Sequence, residues 1–321
     1  MYYLGVDGGG TKTTAVLSDL SGETVRTIKA GVGNIALLDR GSTAHLIRSI
    51  LRSLLAGEKT DRILRATFGF AGAGRHEEKE MVSALIRAAG IQNFTVMTDA
   101  EILHYAIFGE QQGMLISAGT GSICVIRNEQ SKFQQIGGWG YLLGDEGSGF
   151  YIGNRAIKQA LLEIVAGEKP SRLTNELLLF YGLEKPENLI TITYSSINPP
   201  KLVASCARLV CDLAEQGEPN AQKIVEDAAT ALLNLASLAV KQYQGEKPAI
   251  YKVALAGSIL KESSIVNHLF KKRAAEKGLH FEYTRQELPP SAAGVLYSIK
   301  TDGKSAPASL IEKLKGIQFA E

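Results

Sequence analysis

Asp7-Gly8-Gly9-Gly10-Thr11-Lys12-Thr13 is the stretch on which the reading of this chain turns. Tyr2 to Val6 before it and Thr14 to Leu17 after it are aliphatic and β-branched, so they read as two strands joined at Gly8–Lys12. Three glycines in a tight hairpin expose backbone N–H groups. Without Cβ atoms they let a phosphate chain approach closely. Gly9 and Gly10 are the candidates for that approach, and Lys12 and the hydroxyls of Thr11 and Thr13 add charge and donors. Asp7 closes the first strand and suits a hard cation such as magnesium, which prefers oxygen ligands. The stretch is neither a Walker A loop, which needs G-x-x-x-x-G-K-[ST], nor a dinucleotide fingerprint, because the chain continues as a strand after Thr13. The alternative is a hairpin shaped by turn geometry alone.

The pattern returns 110 residues later. Met114 to Ala118 reads as a strand, Gly119-Thr120-Gly121-Ser122 as a turn and Ile123 to Ile126 as a second strand. Two such hairpins facing across a cleft would hold a triphosphate from both sides. The expected architecture is therefore α/β and duplicated. Residues 1–111 form an N-terminal lobe and 112–290 a C-terminal lobe, while 291–321 are C-terminal helices that return to the first lobe. A period this long is not a solenoid repeat.

Periodicity fills in the rest. A helix capped by Ser42 runs to about Ala56, with rows Leu46, Ile50, Leu54 and Ile47, Leu51, Leu55. Thr67 to Phe70 is a strand, Met81, Leu85 and Ala88 mark a helix closed by Gly90, and Phe94 to Met97 is a strand. The second lobe is richer in helix, over Gly147 to Val165 and Leu202 to Glu215. Pro219 then starts a long helix striped by Ala221, Ile224, Val225, Ala228, Leu232, Leu235 and Ala239. Lys252 to Leu255 is a strand, and Ser291 to Ile299 and Ala308 to Gly316 are helices.

The balance of 35 basic against 33 acidic residues, with no basic stripe, argues against nucleic-acid binding. No apolar run reaches transmembrane length, and the one at the N-terminus is too short for a signal peptide. Cys124, Cys206 and Cys211 make an odd set without a CxxC pair, which fits a reducing, cytoplasmic setting. His45, His76, His104, His268 and His280 are scattered without metal-ligand spacing.

Asp99, in Thr98-Asp99-Ala100-Glu101, follows a strand where a cleft would lie. Phosphoryl transfer to an alcohol needs a carboxylate that orients the hydroxyl and takes its proton. The alternative role is N-cap of the helix beginning near Ala100. Gly137-Gly138-Trp139-Gly140 and Gly144-Asp145-Glu146-Gly147-Ser148-Gly149 form a loop dense in glycine. There Trp139 offers a flat apolar surface or a core anchor, and Asp145 can accept hydrogen bonds from vicinal sugar hydroxyls. Asn34, in Gly31-Val32-Gly33-Asn34, is a polar residue in a glycine turn. Ala256-Gly257-Ser258 suits close approach to adenine or ribose, and a helix-start turn explains it nearly as well.

Together, DGGGTKT at 7–13, GVGN at 31–34, TDA at 98–100, AGTGS at 118–122, GGWGYLLGDEGSG at 137–149 and LAGS at 255–258 make the chain resemble the BadF/BadG/BcrA/BcrD ATPase family. Within that family it resembles the N-acetylglucosamine kinase branch. The resemblance implies a two-lobed actin-like ATPase fold of ribonuclease H-like units, with ATP and magnesium bound by Gly8 to Thr13 and Gly119 to Ser122. It implies Asp99 as catalytic base and Asn34, Asp99, Gly119 and Asp145 as contacts of an amino sugar attacked at its 6-hydroxyl. Lobe closure and a homodimer are further implications. N-acetylglucosamine, glucosamine and N-acetylmuramate all remain candidate substrates. The rival within the family is an activator ATPase of a CoA-ester dehydratase or reductase, which needs cysteines arranged for an iron–sulfur cluster. Here Cys206 and Cys211 fall on different faces of one expected helix and Cys124 inside a strand. ROK-type sugar kinases and repressors carry a cysteine-rich zinc motif that is absent here. A non-catalytic ATP-gated binding module is the remaining alternative.

Overall fold

The computed structural model describes residues 1–128, 133–243, 246–261 and 264–319. The chain divides into two compact units, one of Met1–Gln111 with Arg285–Glu321 and one of Gln112–Thr284.

In the first unit the expected hairpin is β1 (Tyr2–Gly8) and β2 (Thr13–Ser18), followed by β3 (Val25–Ala30). After α1 (Arg40–Leu55) come β4 (Ile63–Phe70), α2 (His76–Ala88), β5 (Phe94–Met97) and α3 (Asp99–Phe108). The sheet runs β3-β2-β1-β4-β5, antiparallel on the β2–β3 side of β1 and parallel on the β4–β5 side. β1 and β2 are covered on both faces, which is why they read as near-continuous apolar runs rather than alternating ones. Tyr2, Leu4 and Val6 enter one core with residues of α1 and α2. Tyr3 and Val16 enter another on the opposite face.

Two helix ends differ from the sequence reading. Asp39, not Ser42, caps α1: its carboxylate accepts the Ser42 backbone N–H at 2.8 Å. The aspartate stands three residues before that N–H, the reach a cap side chain spans. α2 closes at Ala89, and Gly90 follows with φ +93°, the left-handed turn a Cβ disfavours.

The second unit repeats the plan. Its strands β6 (Gly113–Ala118), β7 (Ser122–Arg127) and β8 (Phe133–Gly137) form an antiparallel meander. The helices α4 (Gly149–Val165), α5 (Arg172–Tyr181), α6 (Asn188–Ser195), α7 (Pro199–Ser205), α8 (Ala207–Glu215) and α9 (Pro219–Gln242) follow. Then come β9 (Tyr251–Ala256), α10 (Ile265–Glu276) and β10 (Phe281–Tyr283). The order is β10-β9-β6-β7-β8, with β9 parallel to β6 and β10 parallel to β9. The single helix expected over 202–215 is instead α7 and α8, meeting at Cys206. Its φ −82° and ψ −3° stay near helical values, so the chain bends rather than stops. α7 lies hard against α4, where a Cβ on Gly153 would meet the Val203 carbonyl oxygen at 2.0 Å.

The chain then returns to the first unit through α11 (Pro290–Thr301) and α12 (Ala308–Lys315). Small residues on α11 let it press onto β1: a Cβ on Gly5 would meet the Ser291 carbonyl oxygen at 2.0 Å. The Thr14 and Ser291 hydroxyls pair at 3.1 Å, and those of Thr67 and Ser298 at 2.7 Å, which satisfies four buried polar groups. Leu310 and Leu314 of α12 join Tyr3 and Val16 in the core. Among the described residues, no helix is long and apolar enough to cross a membrane.

Candidate active site

The turn between β1 and β2 is welded to two neighbouring loops. The Gly9 N–H donates to the Lys12 carbonyl at 2.9 Å, closing the turn. The Gly33 N–H donates to the Gly9 carbonyl at 3.0 Å, and the Ala71 N–H to the Gly8 carbonyl at 2.7 Å. The Thr13 hydroxyl donates to the Gly31 carbonyl at 2.8 Å. Packing demands glycine at two of these positions. A Cβ on Gly8 would meet the Phe70 ring at 2.3 Å, and one on Gly33 would meet the Gly8 Cα at 2.5 Å. Gly10 is different, because a Cβ there has no neighbour within 4 Å and its φ lies outside the left-handed range. Neither packing nor conformation requires glycine at that point, which leaves room for a ligand. Thr11 and Lys12 stand exposed beside it.

Asp7 and Asp99 lie at the carboxyl ends of parallel strands. Asp7 is in register with Gly69 of β4, and Gly69 with Met97 of β5, two residues before Asp99. This is the edge of an open α/β sheet where ligands bind. No described residue donates a hydrogen bond to the Asp7 carboxylate. Burial, then the charge of Asp99, push it up to about 7, against the opposing pull of Lys12. Asp99 is pushed up to about 6 by burial, with the Glu101 charge adding to the rise and the Ala100 N–H opposing it. The helix cap expected of Asp99 belongs to Thr98. The Thr98 hydroxyl accepts the Glu101 N–H at 3.1 Å, and the Glu101 carboxylate accepts the Thr98 N–H at 2.8 Å. That reciprocal box takes the cap role from Asp99, which stands instead in the first turn of α3, where a helix N-terminus favours an acid. Asp99 accepts the Ala100 N–H at 3.0 Å through Oδ1, and its own backbone N–H also acts to lower its pKa.

Asn34 accepts the Ala36 N–H at 3.1 Å through its side-chain oxygen, and its amide nitrogen has no partner among the described residues. Ile35 next to it ties to the Ala71 carbonyl at 3.0 Å. Asn34, the hairpin turn and the Ala71–Gly72 loop are thus one bonded assembly. The Ala71–Gly72 loop was not singled out from sequence as part of a site, although its Ala71-Gly72-Ala73-Gly74 run was a visible signal.

In the second unit the Gly119 N–H donates to the Gly121 carbonyl at 2.9 Å, and Thr120 is exposed at the turn. The Gly119 carbonyl accepts the Gly149 N–H at 2.7 Å, and the Ser122 hydroxyl donates to the Glu146 carbonyl at 2.8 Å. Asp145 sits against this turn, so that a Cβ on Gly121 would come within 2.5 Å of its Oδ2. Its backbone takes φ +62°, a left-handed conformation that a non-glycine residue adopts at a cost. Burial raises its pKa, while the Ser122 and Gly140 backbone N–H groups pull it down. Gly257, with φ +85°, touches the same region, since a Cβ there would meet the Ala118 carbonyl oxygen at 2.2 Å. Ser258 follows it, exposed, at the start of a short 3-10 turn. Gly119 to Ser122, Asp145 and Gly257 are therefore gathered within one unit. Trp139 is 72% exposed, so the core-anchor alternative fails; Leu142 and Leu143 beside it are exposed as well. The cysteines are free, and burial pushes the Cys206 thiol up to about 11 and Cys211 to about 12, which favours the protonated form over a ligating thiolate.

A sequence profile described as the BadF/BadG/BcrA/BcrD ATPase family matches residues 4–283. The chain belongs to that family. Among curated relatives, an N-acetylmuramic acid/N-acetylglucosamine kinase of Clostridium acetobutylicum is 31% identical over 84% of this chain and 89% of its own length. An N-acetyl-D-glucosamine kinase of Dictyostelium discoideum is 26% identical over 93% of this chain and 98% of its own. The fold of this family member is shared with a crystal structure from Chromobacterium violaceum, provisionally named as an N-acetylglucosamine kinase. The TM-score is 0.75 at 21% identity, covering 92% of this chain and 98% of that one. The α/β, actin-like ATPase fold follows from membership and this likeness, and the use of ATP from membership alone.

Proposed function

We propose that this protein is a carbohydrate kinase that transfers the γ-phosphoryl group of ATP to the 6-hydroxyl of N-acetylglucosamine or a close amino sugar. The observation that carries the reading is the half-buried pair Asp7 and Asp99 at the strand ends, beside a glycine turn with room for phosphate. The similarity to curated amino-sugar kinases supports the choice of acceptor.

In this reading Gly9, Gly10, Thr11, Lys12 and Thr13 in one unit, and Gly119, Thr120, Gly121 and Ser122 in the other, present N–H groups and hydroxyls to phosphoryl oxygens. Gly257 and Ser258 serve the nucleoside. The Asp7 carboxylate accepts no hydrogen bond from a described residue, which fits Mg2+, an ion commonly held by one or two carboxylates plus phosphates. The ion would supply charge neutralisation at the phosphates. Asp99 orients the acceptor hydroxyl and takes its proton late, as the bond to the leaving oxygen breaks. Its raised pKa moves it toward the range where a carboxylate can accept a proton near neutrality. Asn34 with its spare amide N–H groups, Asp145, Gly119 and the exposed face of Trp139 contact the sugar.

The deciding experiment is ADP release measured with N-acetylglucosamine, glucosamine, N-acetylmuramate, N-acetylmannosamine and glucose, on wild type and Asp99→Asn. The wild type is expected to turn over an amino sugar. Asp99→Asn is expected to lose at least about a hundredfold in kcat, the scale of general-base catalysis, with nucleotide affinity kept. Near-native transfer by Asp99→Asn would remove the base assignment. A homodimer in the cytoplasm completes the reading. Exposed Val165, Leu179, Tyr194 and Ile197 in the second unit support it as apolar surface of the sort that subunits cover, and sedimentation tests it.

A further inference from the structure

A cavity of about 320 Å³ in the first unit is lined in part by Asp7, Lys12 and Thr14 from the hairpin. Its opposite wall comes from much later in the chain, through Glu287, Lys315 and Phe319. These residues lie beyond the stretch, residues 4–283, that matches the family profile.

The late wall is firmly seated. Leu310 and Leu314 bury α12 in the core with Tyr3 and Val16. The Lys313 ammonium donates to the Gly22 carbonyl at 2.7 Å, tying the helix to the β2–β3 turn. Lys315 at the end of α12 is thus carried on an anchored element. Its ammonium is held between Glu287 at 3.3 Å and Glu312 at 3.2 Å. An ammonium has three donors, so two carboxylates leave one for an incoming oxygen. Both partners also raise its pKa, which keeps it charged.

Charge around the cavity then gives Lys315 a task. Asp7 and Glu287 are acidic and would repel a phosphate chain, and Lys12 offsets only one of them. Among the side chains that line the cavity, Lys315 brings the bases to two against the two acids; Glu312, its other partner, is not in the lining. Without it the lining carries an excess negative charge where the phosphate end of the nucleotide is to sit. We propose that Lys315 is a second phosphate-binding lysine of the nucleotide site, and that the C-terminal segment carrying it is a wall of that site. The inference rests on the assignment of Asp7 and Lys12 to nucleotide phosphates. The ligand chemistry is the phosphoryl oxygens of a magnesium nucleotide. An ordinary surface ion pair, the competing description of Lys315, would contribute little to anything.

The test is direct titration of the full-length protein with N-methylanthraniloyl-ATP and Mg2+, read by fluorescence and independent of turnover. Lys315→Ala is expected to weaken binding about tenfold, the scale of one charge-assisted contact, and Lys315→Arg to restore most of it. The sugar KM is expected to stay within about twofold. Lys315 is exposed, so the unfolding midpoint serves as the folding control. Lys12→Ala sets the reference loss, and the double variant is expected to lose more than either single. If the wild type binds the nucleotide and Lys315→Ala binds it within about twofold as well, the inference is overturned and the kinase reading stands. If Lys315→Ala weakens nucleotide binding but no amino sugar is phosphorylated, the substrate reading falls and Lys315 keeps its role. A wild type that binds no nucleotide overturns both.

Discussion

At the end of β1 stands Asp7, with Lys12 in the turn that follows. At the matching place one residue before the end of β6 stands Ser117, and its turn, Gly119 to Ser122, carries no charge. Both hairpins use the same backbone device, and both sheets the same strand order around it. They differ in where the acid comes from. In the first unit it is on the strand itself and shares its surroundings with Asp99. In the second it is Asp145, brought by a loop whose backbone takes a left-handed turn to press the carboxylate against Gly121. A duplicated frame repeats the backbone turn, while the neighbouring acids Asp7 and Asp99 at strand ends belong to the first copy.

The sharpest way to break this comparison is to treat the matched strand positions alike. Asp7→Ala is expected to lower kcat/KM by about a hundredfold or more, on the scale of removing a metal-orienting or electrostatic group, and Ser117→Ala by less than about fivefold. Equal losses in steady-state kinetics would mean that the copies share the chemistry.

The next effect is on pH. Asp99 must be ionised to accept a proton, and its folded pKa is about 6. Activity is therefore expected to fall about tenfold per pH unit below about 6. Ser122→Ala in the other unit leaves that limb where it is. A limb near the ordinary carboxylate range of about 4 would place the base outside the buried strand end.

Glycine substitutions separate ligand room from packing. Gly10→Ala meets nothing in the protein, so it is expected to weaken nucleotide binding about tenfold with the unfolding midpoint within about 1 °C of wild type. Gly121→Ala forces a Cβ toward Asp145 and is expected to lower the midpoint by several degrees while raising the sugar KM. Calorimetry with a nucleotide titration separates the two.

The smallest effect is on stability. Because Asp99 has a folded pKa raised above its unfolded value, its contribution to stability is complete below about 4 and lost as pH rises through about 6. Its charge at pH 8 costs about 1–3 kcal/mol before any ligand binds. Asp99→Asn is therefore expected to raise the unfolding midpoint by a few degrees at pH 8 and to leave it unchanged at pH 4.

Much of this was legible along the chain because it is local. A hairpin, a strand end and an N-terminal helix signal each fit within ten residues. The capping box at Thr98 and Glu101 was equally local, and reading it would have freed Asp99 from the cap role at once. The Ser42 cap failed because Asp39, three residues earlier, accepts the Ser42 N–H and starts the helix at Arg40. β3 and β8, which the hairpin motifs did not announce, are outer strands in their sheets. Their sequences, Val25 to Ala30 and Phe133 to Gly137, mix polar with apolar residues, so neither carries a strong apolar period. The bend at Cys206, where α7 lies close against α4, is encoded by no period in 202–215.

What the sequence determined by itself is the repeated strand–glycine turn–strand device, the acids at strand ends and the membership that follows from them. These depend on residue type at short range, where turn chemistry and strand propensity act. What only the tertiary structure decided is which groups meet. It set Asp7 two strands from Asp99, wedged Asp145 against Gly121 and carried Lys315 to the hairpin near the start of the chain. Those meetings depend on packing between residues tens or hundreds of positions apart. Burial and charge act through distance in space, and the order of residues along the chain does not record that distance.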